Sequence, residues 1–223
     1  MFEYRILKRL FDVTLACIGT FLLSPVLIFV ALAVKLDSPG PVFYRGMRAG
    51  FQGKPFFMLK FRTMVANAER LGGFSTSLDD PRITRVGKWL RKYKLDELPQ
   101  LFNVIVGQMS FVGPRPEVLS ETANYSSEER ALLSVVPGIS DWASLRFANE
   151  GEILKGSPDP HEAYRLLIRP EKIRLGLRYV RERSFFVDVK IITQTLTRVA
   201  FSHVAFGLES ESEKPNERIS SAT

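Results

Sequence analysis

Cysteine and histidine are scarce in this chain, whose 223 residues include one cysteine and two histidines. Cys17 therefore has no partner for an intrachain disulfide, and nothing in the sequence points to an oxidising compartment. His161 and His203 lie far apart, without other ligands at metal-binding spacing, which excludes a Cys/His zinc site. The sequence also has no internal repeat. Disulfide-stabilised domains and zinc proteins are thus removed from consideration.

Acidic residues are outnumbered, with 24 Asp and Glu against 31 Lys and Arg and a formal net charge of +7. Such an excess favours anionic partners, namely nucleic acid, phosphorylated ligands or acidic lipid headgroups. An ordinary basic surface explains the charge equally well, so charge alone does not separate these classes. The length and the hydrophobic content of 45% suit one domain with its own core plus attachments.

Charged residues are absent from residue 13 to residue 34. At about 1.5 Å per residue this run reaches about 33 Å as a straight helix, enough to cross the hydrocarbon core of a bilayer. Ser24-Pro25 interrupts the run, and a proline inside a helix removes a backbone hydrogen bond and kinks it. Basic residues flank both ends, at Arg5, Lys8 and Arg9 before the run and at Lys35, Arg45 and Arg48 after it.

Because basic flanks favour the cytoplasmic side, both ends of the run are drawn to the same face of a membrane. The sequence therefore favours a re-entrant helix that enters, breaks at Ser24-Pro25 and returns, over a helix that spans. A buried core helix is the third alternative. We expect residues 1–36 to anchor the chain in a membrane.

The predicted fold class is α-rich α+β. After the linker Asp37–Pro41, two short strands are predicted at Val42–Arg45 and Phe56–Phe61, around a turn at Gly50–Lys54. Helical periodicity dominates the rest, at about Thr63–Leu71, Thr84–Tyr93, Leu98–Val106, Ser127–Val135 and His161–Ile168, and in two segments between Pro170 and Phe201. We thus expect a small helix-rich domain with a β-hairpin over residues 37–205, and a polar, disordered tail over residues 206–223.

The most informative window runs from Leu95 to Gly107. An amphipathic helix is predicted here from the spacing of Leu98, Leu101, Phe102 and Ile105. Asp96 and Glu97 fall at or just before its N-terminus, where free N–H groups and the helix dipole favour anions. The same field would keep Asp96 ionised, as a carboxylate nucleophile requires. The alternative is that Asp96 merely caps the helix.

Basic residues precede this window in an unbroken series, without an acid between Pro81 and Leu95. They are Arg82, Arg85, Lys88, Arg91, Lys92 and Lys94. With an apolar stripe that includes Trp89 and Tyr93, the segment suits a headgroup interface, and it would hold phosphates near the carboxylates. A solvated basic face is the alternative. Downstream, Gly113-Pro114-Arg115-Pro116 forms a rigid turn that fixes an arginine for contact with an anion.

These segments together resemble a known family. The matching stretches are Lys8–Asp12, Lys60-Phe61-Arg62-Thr63-Met64, Leu95–Val104 and Gly107–Pro116. In this order they are similar to the bacterial sugar transferases, the monotopic polyprenyl-phosphate phosphoglycosyl transferases. The similarity runs from about Lys8 to Ile139 and more loosely to Leu196. The chain resembles the minimal form of the family, without the extra spanning helices and N-terminal domain of larger members.

The resemblance implies a re-entrant membrane helix broken at Ser24-Pro25 and a small catalytic domain on the cytoplasmic face of the bacterial inner membrane. It implies a two-step reaction that starts the assembly of a surface glycan. Asp96 would attack the β-phosphate of a UDP-sugar, release UMP and carry the sugar phosphate, which polyprenyl phosphate then removes. Glu97 would be the second member of an acidic dyad. The implied cofactor is Mg²⁺, held through Asp96.

The residues expected to bind substrate are Lys60, Arg62, Arg85, Arg91, Pro114, Arg115 and Pro116. Among them, Arg91 is expected to hold phosphate and Arg115 to contact the nucleotide side. The expected partners are the UDP-sugar, the polyprenyl phosphate and the lipids of the inner membrane, without nucleic acid. Homo-oligomerisation is left open.

After Pro137-Gly138-Ile139-Ser140 the chain departs from the pattern of longer relatives, so their sugar preference does not carry over. Arg146, Asn149 and Glu150 are either sugar-pocket residues or part of an ordinary polar loop. Two rival functions stay open. A nucleic-acid-binding protein would explain the basic charge but not the apolar N-terminus. A non-catalytic membrane scaffold of the same fold would differ at Asp96.

Overall fold

The computed structural model describes residues 2–68, 80–148, 150–154, 157 and 159–212. It begins with two helices, α1 (Phe2–Leu22) and α2 (Ser24–Asp37), which meet at an angle of 64°. Pro25 in the first turn of α2 has no N–H to donate to the Phe21 carbonyl four residues earlier. The Ser24 hydroxyl donates to that carbonyl instead, at 2.7 Å. The Ser-Pro pair thus bends the helix and satisfies the carbonyl that the bend leaves without its partner.

None of the described helices is by itself long and apolar enough to cross a bilayer, but α1 and α2 taken together as a bent pair are. Both helices expose large apolar side chains, among them Phe21, Leu22, Ile28, Phe29, Leu32 and Leu36.

A β-hairpin follows, with β1 at Phe43–Ala49 and β2 at Pro55–Phe61. The strands pair antiparallel from Phe43 opposite Phe61 to Ala49 opposite Pro55. Gln52 (φ 56°) and Gly53 (φ 73°) both adopt left-handed backbone in the connecting turn. The predicted hairpin is confirmed, and its first strand is longer than the sequence suggested.

The remaining elements are mostly short helices. In chain order they are α3 (Arg85–Lys92), α4 (Gln100–Ile105), β3 (Ser110–Val112), α5 (Leu119–Ala123), β4 (Gly138–Ser140), α6 (Trp142–Arg146), α7 (Glu150–Ile153), α8 (Pro160–Ala163), α9 (Arg169–Glu182) and α10 (Phe185–Ser212). A π-helical turn at Tyr164–Ile168 joins α8 to α9. The strands β3 and β4 pair parallel, with Ser110 opposite Gly138 and Val112 opposite Ser140. The helix-rich class is confirmed, with this parallel pair as an addition.

The helix predicted at Thr63–Leu71 is wrong over its described part. Its backbone pairs with a distant segment instead, through a bridge between Met64 and Ile83 and bonds from Val65 N to Arg82 O and from Thr84 N to Thr63 O. Residues 69–71 lie outside the described residues. The segment predicted as helical at Ser127–Val135 forms a 3₁₀ helix at Glu129–Ser134 rather than an α-helix.

The tail predicted over residues 206–223 is described only in part. Helix α10 continues to Ser212, and residues 213–223 lie outside the described residues. The disorder of those last residues stays a prediction.

Two apolar clusters hold the hairpin between helices. One joins α1 and α4 to the hairpin through Ala16, Phe56, Met58, Leu101, Val104 and Met109. The other joins α2 and α3 to β2 through Val30, Val34, Phe61 and Leu90. Because β2 contributes to both clusters, the strand is fixed from two sides.

Polar contacts also attach α1 to the domain. Asp188 of α10 is 2% exposed and accepts hydrogen bonds from Lys8 at 2.7 Å, Tyr4 at 2.9 Å and Tyr179 at 2.8 Å. Arg9 donates to the carbonyls of Val104 and Ile105 at the C-terminal end of α4. Two of the basic residues before the apolar run, Lys8 and Arg9, therefore bind the domain itself.

We predict that Asp188→Ala strongly destabilises the attachment of α1. The substitution leaves Lys8 without its carboxylate and two tyrosine hydroxyls without their acceptor, a cost of about 2–5 kcal/mol. Chemical denaturation in detergent micelles measures it. The exposed ion pair of Arg165 with Glu162 provides the control, and Glu162→Ala should cost less than about 0.5 kcal/mol. Equal small effects of both substitutions would contradict the anchoring role.

Candidate active site

Asp96 lies in a 3₁₀ turn, Leu95–Glu97, between α3 and α4. Lys94 turns the chain with left-handed backbone (φ 57°), and Asp96 is buried at 8% exposure. Helix α4 begins only at Gln100, so Asp96 does not lie at its N-terminus, where the free N–H groups are. Within the described part of the chain, no group donates a hydrogen bond to the Asp96 carboxylate, and the residue is therefore not a helix cap.

Opposing effects act on the ionisation of Asp96. Burial raises the pKa of its carboxyl group, whereas the positive charge of Lys60, and after it those of Arg91 and Lys94, lower it. Burial prevails, and the pKa lies above its ordinary value. The protein therefore does not favour the ionised form of Asp96 as the sequence predicted, because the nearby cations offset only part of the cost of burial.

Glu97 is held quite differently. Lys60 of β2 donates to its Oε1 at 2.7 Å, and Arg115 donates to both carboxylate oxygens, one bond being 3.2 Å long. Burial alone would raise the pKa of Glu97, but Arg115 and Lys60 hold it well below its ordinary value. Glu97 in turn raises the pKa of Arg115. Both oxygens of Glu97 are thus committed to ion pairs, while those of Asp96 are available.

Arg115 is presented by a tightly packed turn. Gly113 donates its N–H to the Ser140 carbonyl, and Gly138 donates to that of Pro114. A Cβ on Gly138 would lie 2.1 Å from the Gly113 nitrogen, so glycine is required there. Pro114 and Pro116 are buried on either side of the arginine. The two prolines therefore serve to hold Arg115 in place.

Arg91 approaches Asp96 from α3. Thr84 caps this helix by accepting the Gly87 N–H at 3.0 Å, and the Arg91 Nε donates to the Thr63 hydroxyl at 2.9 Å. Burial lowers the pKa of Arg91, and the charge of Asp96 opposes that shift. The structure thus brings together Asp96, Glu97, Lys60, Arg91 and Arg115.

Arg62 and Arg85, which were also expected to bind substrate, do not contact the dyad in the way that Lys60 and Arg115 do. The Arg62 guanidinium donates to the carbonyls of Pro39 at 2.6 Å and Ser38 at 2.7 Å, so it fixes the segment after α2. Arg85 is exposed in the first turn of α3. Neither contributes a contact to the dyad among the described residues.

Asn103 is a positioning residue that sequence reasoning missed. Its side chain accepts the Leu59 N–H at 2.9 Å and donates to the Phe57 carbonyl at 2.8 Å. These bonds fix β2, which carries Lys60, against α4, which follows the dyad. The signal in the sequence was a polar residue between Phe102 and Val104, and in the structure Asn103 is buried at 2% exposure.

The dyad opens into one large cleft of about 2630 Å³, which Asp96, Glu97, Lys60, Arg91 and Arg115 all line. Glu150 also lines it and pairs with Lys172. Arg146 ends α6, and Asn149 lies outside the described residues.

The side chains of the site suit a magnesium ion that takes one ligand from the protein and its remaining ligands from water and substrate. No group of three or more His, Cys, Asp or Glu that could form a protein-only metal cage occurs among the residues described. Mg²⁺ characteristically binds through one or two carboxylates together with water and substrate phosphates. The Asp96 carboxylate, which accepts no hydrogen bond from the described residues, would supply one such ligand.

A buried carboxylate surrounded by cations, beside a second one that is ion-paired, suits the transfer of a phosphorylated group. Residues 3–202 match the model of the family described as "Bacterial sugar transferase". The chain belongs to that family, which confirms the resemblance seen in the sequence.

Three similar relatives differ in length. An undecaprenyl-phosphate glucose phosphotransferase of Komagataeibacter xylinus is 40% identical over 89% of this chain and 37% of its own length. The uncharacterized sugar transferase EpsL of Bacillus subtilis is 36% identical over 88% of this chain and 89% of its own length. A UDP-N-acetylgalactosamine-undecaprenyl-phosphate N-acetylgalactosaminephosphotransferase of Aeromonas hydrophila is 35% identical over 88% of this chain and 44% of its own length. The chain thus spans about two fifths of the first and third of these relatives.

We predict that Gly87→Ala displaces α3. The new Cβ would lie 2.1 Å from the Thr63 carbonyl oxygen, and backbone on both sides must shift. The expected cost is about 1–3 kcal/mol in stability, with reduced enzymatic activity because Arg91 moves relative to Asp96. Gly19→Ala is the matched control, since its Cβ would have ordinary contact at 3.7 Å and should stabilise α1 by about 0.5–1 kcal/mol. Unchanged thermal stability of Gly87→Ala would refute the close packing.

Proposed function

We propose that this chain transfers a sugar 1-phosphate from a UDP-sugar to a polyprenyl phosphate through a covalent intermediate on Asp96. The observation that carries the proposal is the difference in hydrogen bonding between the two carboxylates. Glu97 has both oxygens in ion pairs, whereas Asp96, buried beside Lys60 and Arg91, has no donor among the described groups. A nucleophile needs a lone pair that is not already engaged. Asp96 is therefore the nucleophile and Glu97 the residue that positions cations.

The proposed reaction has two displacements at phosphorus. In the first, an Asp96 carboxylate oxygen bonds to the β-phosphorus, the bond from that phosphorus to the bridging oxygen breaks, and UMP leaves. In the second, an oxygen of polyprenyl phosphate bonds to the same phosphorus and the Asp96 carboxylate leaves. The products are UMP and a polyprenyl diphosphate sugar. No oxidant or other co-reactant is needed.

Attack of a carboxylate on a diphosphate brings like charges together, so the barrier depends on neutralising them. Arg91 supplies one cation on the α3 side, and Lys60 with Arg115 supplies two more on the side of Glu97. Mg²⁺ bound at Asp96 would neutralise diphosphate charge and favour the ionised carboxylate. Burial of the dyad strengthens each of these interactions by lowering the local dielectric constant.

We place the chain at the cytoplasmic face of a bacterial inner membrane, with α1 and α2 as a re-entrant pair. The bend of 64° at Ser24-Pro25 and the exposed apolar faces of both helices support this placement. It also brings the site to the interface at which an isoprenoid-linked phosphate is held. The donor sugar is sought among the sugars named in relatives, glucose and N-acetylgalactosamine, and the product would start a surface glycan.

We predict that Asp96→Asn lowers UMP release at least about 1000-fold, because an amide cannot form the phosphosugar intermediate. The purified protein is incubated with candidate UDP-sugars, first without acceptor, and the Asp96 peptide is analysed by mass spectrometry for a sugar-phosphate adduct. Glu171→Gln, on the exposed side of α9, is the matched control and should keep wild-type activity. Retained turnover in Asp96→Asn would favour a non-catalytic aspartate, and release of UDP rather than UMP would exclude phosphosugar transfer.

Removal of divalent cations should stop the reaction. With EDTA in excess, we expect UMP release to fall at least about 100-fold, since the diphosphate charge is then opposed by side chains alone. Added Mg²⁺ should restore it. Full activity in EDTA would show that Asp96 acts without a metal.

A further inference from the structure

Helices α1 and α10 both contribute side chains to the lining of the cleft that contains the dyad. They meet where the ring of Phe11, in the middle of α1, packs edge to face against that of Phe185, the first residue of α10, with centroids 5.4 Å apart. The ion pair of Lys8 with Asp188 lies beside this contact. Both helices also contact β3, since Asp12 of α1 accepts the Phe111 N–H at 3.2 Å and Ile191 of α10 packs in one apolar cluster with Val112.

Beyond this junction, one face of each helix lines the cleft of the dyad. The α1–α10 groove, as we name it, is lined by Leu15 and Gly19 of α1, by Leu23 at the break that follows α1, and by Ile192, Thr195 and Leu196 of α10, together with Phe111 and Ile139. The first three residues recur every four positions and the α10 residues at spacings of three and one, so each set lies on one helical face. From Leu15 to Leu23 the wall is about 12 Å long.

The side chains just named are mostly apolar, and Arg198, a further α10 residue of the cleft lining, donates to the Leu145 carbonyl. Seven of the eight residues just named are hydrophobic or glycine, and the Thr195 hydroxyl is already bonded to Ser140 at 2.7 Å and to the Ile191 carbonyl. The absence of an unsatisfied polar group in these walls suits a hydrocarbon rather than a sugar or a nucleotide.

The groove leads to the dyad through α4. Leu101 lies 3.7 Å from the position of a Cβ on Gly19, and it lines the same cleft as Lys60 and Asp96. The cleft therefore has cationic side chains around the dyad and apolar side chains along α1 and α10. An amphiphile with an anionic head and a hydrocarbon chain matches this order.

We propose that the α1–α10 groove binds the isoprenoid chain of the acceptor next to its phosphate and so directs that phosphate to Asp96. The proposal rests on the function proposed above. An acyl chain of an ordinary bilayer lipid would also fit an apolar wall. In the acceptor alone, the hydrocarbon chain is attached to the phosphate that must reach the dyad. Because the groove and Asp96 line the same cleft, the acceptor is favoured over a bilayer lipid.

Gly19→Leu tests this groove, because the added side chain would extend from α1 toward Leu101, where the groove leads to the dyad. Cys17→Leu is the matched control, since Cys17 is exposed on α1 outside the cleft lining. Each protein is reconstituted in nanodiscs of phosphatidylethanolamine and phosphatidylglycerol. Two rates are measured: adduct formation from donor alone, and transfer from the adduct to a long polyprenyl phosphate or to geranyl phosphate.

We expect Gly19→Leu to keep adduct formation and to lose about tenfold in kcat/KM for the long acceptor, with a smaller loss for geranyl phosphate. Cys17→Leu should keep both rates. Equal transfer rates in the two variants would overturn the groove. Failure of the wild type to form any adduct would instead remove the proposed function, so the two failures are distinguishable.

Photo-crosslinking of the wild-type protein decides the matter even if Gly19→Leu does not fold. A diazirine-bearing polyprenyl phosphate should label peptides that contain Leu15–Leu23 and Ile192–Leu196. Labelling confined to α2 would overturn the proposal. So would labelling of the groove by a diazirine phospholipid that polyprenyl phosphate does not displace, because the groove would then be a general lipid site.

Discussion

The Glu97 carboxylate is the interaction on which the site depends. It joins Lys60 of the hairpin, Arg115 of the turn after β3 and the 3₁₀ turn that carries Asp96, three segments that are distant in the chain. Burying one carboxylate with two cations is costly unless its oxygens are fully bonded, and here they are. The arrangement leaves a net positive environment beside Asp96. A single ion-paired residue thereby both assembles the site and prepares its neighbour for an anionic substrate.

The fold was predictable where local patterns are strong. Aromatic residues around a glycine-containing turn gave the hairpin, and Ser24-Pro25 gave the break between α1 and α2. The pair β3 and β4 was not predictable, because strands of three residues are too short to show alternation. The error at Thr63–Leu71 has a related origin, since helical spacing of apolar residues does not reveal that the backbone of Thr63 and Val65 pairs with a segment 17 or more positions away.

The site was predictable as a set of residues, and less so as a mechanism. The motif singled out Asp96 and Glu97 together, but their different roles depend on Lys60 and Arg115, which lie 37 and 18 positions from Glu97. Sequence pattern also could not distinguish an arginine that faces the dyad from one that fixes a loop, as Arg62 does through the carbonyls of Ser38 and Pro39. Burial and hydrogen-bond partners are properties of the folded chain.

The anchoring of α1 by Asp188 has a consequence for biosynthesis. Lys8 and Asp188 are 180 positions apart, so the segment between them must be synthesised before they meet. Contacts of such long sequence separation form slowly. The apolar run of α1 and α2, by contrast, precedes most of that segment in the sequence. In the membrane placement proposed above, insertion of the run would precede closure of the domain, and the chain would complete its active site while already tethered to the surface on which it works.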